Sequence, residues 1–180
     1  MEFYAGKTKI RIEFSFFLII AFSLLIGNNN ILKLLLFSCF HELGHLFTLY
    51  FFKGKAKRIN IAFYGIGLRY EHSLSFIQEI LFLFSGAAVN IIFYLFKVEQ
   101  SINGALALIN LLPVYPLDGG RIIKRLLNHC FNIDVSDKIF KSVSLICIVF
   151  LIACSLINKN ISALLISVYI IVFSLNDTSD

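Results

Sequence analysis

Charge is scarce in this sequence. Asp, Glu, Lys and Arg make up 15% of its 180 residues, hydrophobic residues make up 58%, and tryptophan is absent. With a mean hydropathy of +0.84, too little polar surface is left to keep a globular domain in solution, so a bundle of membrane helices is expected. The net charge is only +5, and the basic residues gather between apolar runs without forming one polar and aromatic face. That argues against a nucleic-acid partner and assigns the cations to membrane orientation. Cysteine is sparse too: Cys39, Cys130, Cys147 and Cys154 lie in or beside apolar runs with no Cys-x-x-Cys spacing. This excludes a zinc ribbon or a disulfide framework and leaves free thiols packed as small hydrophobes. No small-x-small cleavage site follows the apolar run behind Lys7, Lys9 and Arg11, so that run reads as a retained first span and not as a secretory signal. Internal repeats and low-complexity tracts are missing as well.

What is present is a series of apolar runs: Phe14 to Ile26, Ile31 to Phe52, Leu74 to Phe96, Ile102 to Pro116, Ile139 to Ile157 and Ile161 to Leu175. The expectation is an all-α, polytopic membrane protein of about six transmembrane helices. It would form a single membrane-embedded domain over 1–180, with a core at 31–130 and C-terminal scaffold helices at 139–175. The first and last runs fall short of the ~20 apolar residues that cross a bilayer. Lys7, Lys9 and Arg11, then Lys53, Lys55, Lys57 and Arg58, then Arg121, Lys124, Arg125 and Lys138 all fall on one side, with Lys33, Lys97 and Lys159 on the other. The positive-inside rule then puts both termini in the cytosol of a multi-pass cell-membrane protein. Between the second and third spans, residues 58–71 alternate in places and carry two glycines. They read either as a small β-hairpin, whose edge strand could pair with an unwound substrate, or as a plain connecting loop. Nearby His72 reads as a solvated loop residue. Ser85-Gly86-Ala87-Ala88-Val89-Asn90 is a small-residue patch that permits close helix approach, with Asn90 either packed or orienting an active site. The basic, amphipathic stretch from Gly120 to His129 suits a helix at the cytosolic interface.

The second run holds His41-Glu42-Leu43-Gly44-His45. On a helix, positions i and i+4 lie one above the other, so His41 and His45 can offer two imidazole nitrogens to one metal ion, and zinc suits them best. Glu42, a quarter turn away, is placed to take a proton from the attacking water without being a ligand. Ionisable groups in such an apolar segment are costly unless they face a cavity or an ion, which argues for function. A catalytic zinc takes a third protein ligand. Asp118 is the best candidate, in Asn110-Leu111-Leu112-Pro113-Val114-Tyr115-Pro116-Leu117-Asp118-Gly119-Gly120, where the only two prolines break the helix. By itself Asp118 could equally cap the helix that follows; the histidine motif on another span favours the ligand.

These two motifs together resemble the site-2 protease family of intramembrane zinc metalloproteases, most closely its stage IV sporulation FB group. The resemblance implies one Zn2+ per chain held by His41, His45 and Asp118, Glu42 as the base, and Asn110, Pro113 and Pro116 helping to hold the substrate. It further implies cleavage of a membrane-associated regulatory protein, a pro-sigma factor in the sporulation group, with inhibitory membrane proteins as partners. Ala87 departs from the family pattern, where proline is frequent, and neither a CBS nor a PDZ module is expected within the 180 residues. An anti-sigma factor or other membrane protein is the alternative substrate. A non-catalytic binding protein and a small proton or metal transporter are the rival classes; neither needs the whole motif set.

Overall fold

The architecture is that of a computed structural model describing residues 1–5, 8–27, 29–62, 65–70, 74–159, 167, 168 and 171. His72 and nearly all of the last expected span lie outside these residues. Internal contacts divide the chain into two compact units, Met1–Leu108 and Ile109–Asp180.

The first unit opens with strands β1 (Glu2–Ala5) and β2 (Thr8–Ile12). Helices α1 (Phe14–Ile26) and α2 (Asn29–Phe51), strands β3 (Ala56–Ala62) and β4 (Gly65–Tyr70), and helix α3 (Phe76–Leu95) follow, and the boundary after Leu108 falls within the last turn of helix α4 (Gln100–Asn110). α2 is a 23-residue run without proline, about 34 Å long at 1.5 Å per residue, enough for a ~30 Å hydrocarbon core. It ends where Lys53 turns left-handed at φ 55° and the Gly54 N–H reaches back 2.9 Å to the Leu49 carbonyl, a Schellman closure that satisfies the last carbonyls. α3 starts with a capping box in which the Ser75 N–H donates to Gln78 Oε1 at 3.0 Å. α2 and α3 run antiparallel, since His45 meets Phe82 while Phe37, earlier on α2, meets Phe93, later on α3, with ring centroids 5.3 Å apart.

The helical bundle is as expected and the hairpin at 58–71 is real, but it belongs to a larger sheet. Its order is β1-β2-β3-β4, with β2 and β3 parallel and the outer pairs antiparallel. A parallel pair needs a long crossover, and α1 with α2 supplies it. Ile10 and Ile12 of β2 stand opposite Ile59 and Ile61 of β3, on the face turned to α2. There Ile10 and Ile59, with Leu46, Leu49 and Tyr50, line a cavity of about 290 Å3. Lys9, Arg11 and Arg58 alternate onto the other face. The stretch Thr8-Lys9-Ile10-Arg11-Ile12 carries this period-two pattern, yet beside an apolar run it reads first as an orientation signal.

Of the expected spans, α2, α3 and the later helix Ile133–Ile157 are long and apolar enough to cross a membrane, making this a multi-pass membrane protein. α1, at 13 residues, is about 20 Å long and too short by itself. The run expected to reach Pro116 stops being helical at Asn110, because Pro113 and Pro116 cannot continue the ladder.

The second unit contains the turn 111–117 and helices α5 (Asp118–Cys130) and α6 (Ile133–Ile157). Ser144 Oγ of α6 donates to the Pro113 carbonyl at 2.8 Å, and Lys124 of α5 pairs with Asp137 while standing 5.5 Å over the Phe140 ring.

Candidate metal centre

α2 places His41 and His45 on its buried side, 3% and 4% exposed. Their Nε2 atoms converge to 3.2 Å. Two Zn–N bonds of about 2.0 Å meeting at a tetrahedral angle hold their nitrogens ~3.3 Å apart, so the pair is spaced as two ligands of one ion. The tautomer of His45 follows from its other nitrogen. Nδ1 lies 2.7 Å from the Phe82 carbonyl of α3, an oxygen that can only accept. Nδ1 therefore carries the proton and donates it, leaving the Nε2 lone pair for a metal. Ser85 Oγ donates to the same carbonyl at 2.6 Å and helps to fix it.

Glu42, half-buried, completes a group whose ligand atoms all lie within 4.8 Å of one another. The space these atoms share is kept open by Gly86 of α3. A Cβ there would stand 2.6 Å from His41 Nε2 and closer still to His45 Nε2, close to where an ion bonded to both would sit. A side chain at 86 would occupy the metal's cradle, so the residues present fit a bound zinc. Close approach is a feature of both helices: a Cβ on Gly44 of α2 would stand 2.8 Å from the Ser85 carbonyl oxygen. Cys39, half-buried with a free thiol, is not in the group.

The remaining candidate residues lie in the second unit. Asn110 is the last residue of α4 and half-buried, as are Pro113 and Pro116. The turn between them is tied by the Val114 N–H to the Leu112 carbonyl at 2.8 Å and the Leu117 N–H to the Val114 carbonyl at 3.0 Å. Asp118 is the first residue of α5, 8% exposed, with Arg121 Nη1 4.0 Å from its Oδ1. Gly119 lets the start of α5 press on this turn: a Cβ there would stand 2.7 Å from the Leu112 carbonyl oxygen. Leu117 stands at the N-cap position, so Asp118 sits inside the first helical turn, where the helix dipole favours an anion.

Comparison with known proteins shows what these parts resemble. Residues 71–154 match the profile of peptidase family M50. That stretch of the chain is similar to the M50 peptidases. The matched stretch takes in Gly86 and Asp118-Gly119-Gly120 at the start of α5; His41 and His45 lie upstream of it. A zinc metalloprotease of Methanocaldococcus jannaschii is 29% identical over 190 residues, covering 90% of this chain and 55% of its own length. Stage IV sporulation protein FB of Bacillus subtilis is 27% identical over 164 residues, covering 81% of this chain and 57% of its own. The chain thus spans just over half the length of these curated relatives. The solved structure of a site-2 protease from Methanocaldococcus jannaschii superposes with a TM-score of 0.69 at 21% identity, covering 100% of this chain and 95% of that one; the chain shares that fold.

Three contributors to the centre are silent in a motif reading: the Phe82 carbonyl, Ser85 and Gly86. The small-residue patch at 85–88 signals close helix packing, but the sequence does not say that the helix it admits is the one carrying the histidines.

Proposed function

We propose that the protein is an intramembrane zinc metalloendopeptidase that cuts a membrane-associated regulatory protein, with a sporulation pro-sigma factor as the substrate class. The observation that carries this reading is the convergence of His41 Nε2 and His45 Nε2 to 3.2 Å over the opening left by Gly86, with the Glu42 carboxylate beside them. The proposed ligand set is His41, His45 and Asp118, within a single catalytic domain over 1–180. The substrate class is supported by the likeness to stage IV sporulation protein FB.

Zinc, when bound, supplies Lewis acidity toward the scissile carbonyl and the attacking water. His45, oriented by the Phe82 carbonyl, and His41 hold it. Glu42 takes a proton from the attacking water and passes it to the leaving amine. Asn110 and the turn at Pro113 and Pro116 hold the peptide. Because a helix hides its peptide bonds, the substrate unwinds locally before attack, and the outer edge of β4 offers backbone pairing to an extended segment.

Orientation follows from the basic residues. Lys9, Arg11, Lys53, Lys55 and Arg58 all belong to the sheet end of the first unit, where α2 finishes, whereas Lys33 pairs with Glu99 at 2.6 Å at the opposite end of α2. The sheet end is assigned to the cytosol with both termini, and inhibitory membrane proteins are the partners that restrain cutting.

The test is co-expression with a tagged pro-sigma-factor precursor, comparing wild type with Glu42→Gln and Asp118→Asn at matched membrane levels. Cleavage by wild type alone supports the reaction and the substrate class. Cleavage by Glu42→Gln overturns the mechanism. A wild type that is zinc-loaded but leaves the precursor intact overturns the substrate class and turns attention to anti-sigma factors.

A further inference from the structure

Asn90 is completely buried on α3, and among the described residues neither its Nδ2 nor its Oδ1 has a hydrogen-bond partner. A buried carboxamide without partners loses its hydration and gains nothing in return, so it destabilises the fold that holds it unless something else uses it. Its place on the helix says what that use is. Gly86, four residues earlier, lies against the Nε2 edges of His41 and His45, and Phe93, three residues later, packs on Phe37 and Phe40 of α2. Residues at this spacing share one face of a helix, so the Asn90 side chain leaves α3 on the stripe that carries the metal edge, one turn from the cradle.

Building on the protease reading above, we propose that Asn90 is a substrate-binding residue whose carboxamide pairs with one peptide group of the unwound substrate beside the scissile bond. The chemistry is matched on both sides. An unwound segment within a membrane exposes an N–H and a C=O at every residue, with no water to satisfy them. A carboxamide offers one acceptor and an N–H donor in the same planar arrangement as a peptide group. It is neutral, so it contributes neither a proton nor a strong metal ligand, and its role is to hold the chain in register.

The test uses the full-length protein in detergent, with the tagged pro-sigma-factor precursor as probe. In a Glu42→Gln background, which retains substrate, adding Asn90→Leu is expected to lower the co-purified precursor about tenfold, the size of effect of one lost buried hydrogen bond. In otherwise wild-type enzyme Asn90→Leu should raise KM about tenfold with a smaller change in kcat. Zinc content should stay unchanged and the melting temperature equal or higher, because an unpaired polar group is replaced by an apolar one of similar size. Asn90→Ala repeats the comparison with a side chain too small to crowd the interface. Undiminished capture and an unchanged KM overturn the proposal, as does loss of zinc or a lowered melting temperature, either of which makes Asn90 a structural partner. If wild type neither cuts nor retains the precursor, the substrate class of the preceding section fails. The melting temperature and zinc content still decide for or against Asn90 as a reserved binding group.

Discussion

A methyl group is enough to test the centre at residue scale. The Cβ of Gly86→Ala would stand 2.6 Å from His41 Nε2 and nearer to His45 Nε2, in the volume the ion needs. The expected outcome is a zinc content falling from one per chain toward none, read by elemental analysis of purified protein, with helicity retained. Zinc content equal to wild type would show that the cradle lies elsewhere. Glu42→Gln separates chemistry from binding. It keeps both imidazoles and the side chain's size, so zinc content should hold while cleavage falls by about 10²–10⁴, the range a positioned base contributes. His45 illustrates why the histidine pair was legible and its support was not. The i, i+4 spacing is a property of one helix and is written in the chain, whereas the Phe82 carbonyl that fixes its tautomer at 2.7 Å is a backbone atom on another helix. No residue type announces a carbonyl.

Between elements, the α2–α3 contact is the critical joint, since it carries the histidines on one side and their support on the other. Its closeness depends on glycine. A Cβ at Gly44 would stand 2.8 Å from the Ser85 carbonyl oxygen, a backbone atom that can yield only if the helices part. Gly44→Ala is therefore expected to cost about 1–3 kcal/mol of stability through overpacking, measured as a shift in the denaturant or thermal midpoint in detergent. It should lower zinc affinity as a consequence of moving His45 away from Phe82. The sheet gives a pH prediction outside the membrane. The hydrogen bond from Lys9, at 2.9 Å, holds the exposed Glu2 carboxyl below its ordinary value. A depressed carboxylate contributes its stability above the unfolded pKa and loses it as pH falls through the folded one. Amide exchange in β1, taken relative to the intrinsic exchange rate at each pH, should thus be level from pH 8 to 6 and rise only below about pH 4, near the ordinary carboxylate range. A rise near neutral pH would contradict this pairing. The hairpin β3–β4 was legible from its alternation and glycines. β2 was not, because its partner β3 lies beyond two helices and a parallel pairing across such a gap leaves no local mark.

For the whole molecule, the orientation assigned from its cations can be read directly. A single cysteine at Lys55 in a cysteine-free background should react with a membrane-impermeant maleimide only from the cytosolic side, and one at Lys97 only from the opposite side; the reverse pattern would invert the topology. Chelation is expected to abolish cleavage and added zinc to restore it, because no residue of the group can supply the metal's charge. The sequence by itself determined the membrane class, through its excess of apolar over charged residues. It also determined the adjacency of His41 and His45, through a spacing that any helix converts into neighbours, and the break after Asn110, through two prolines that no helix accommodates. These are local or compositional properties, and local physics reads them without knowing the fold. Tertiary structure alone decided that Gly86 stands over the imidazole nitrogens, that the Phe82 carbonyl sets the His45 tautomer, and that Asn90 is sealed from water on the same helix face. Each depends on the register in which α2 meets α3. That register is set by the summed packing of small and aromatic side chains along the joint, a sum no single segment contains.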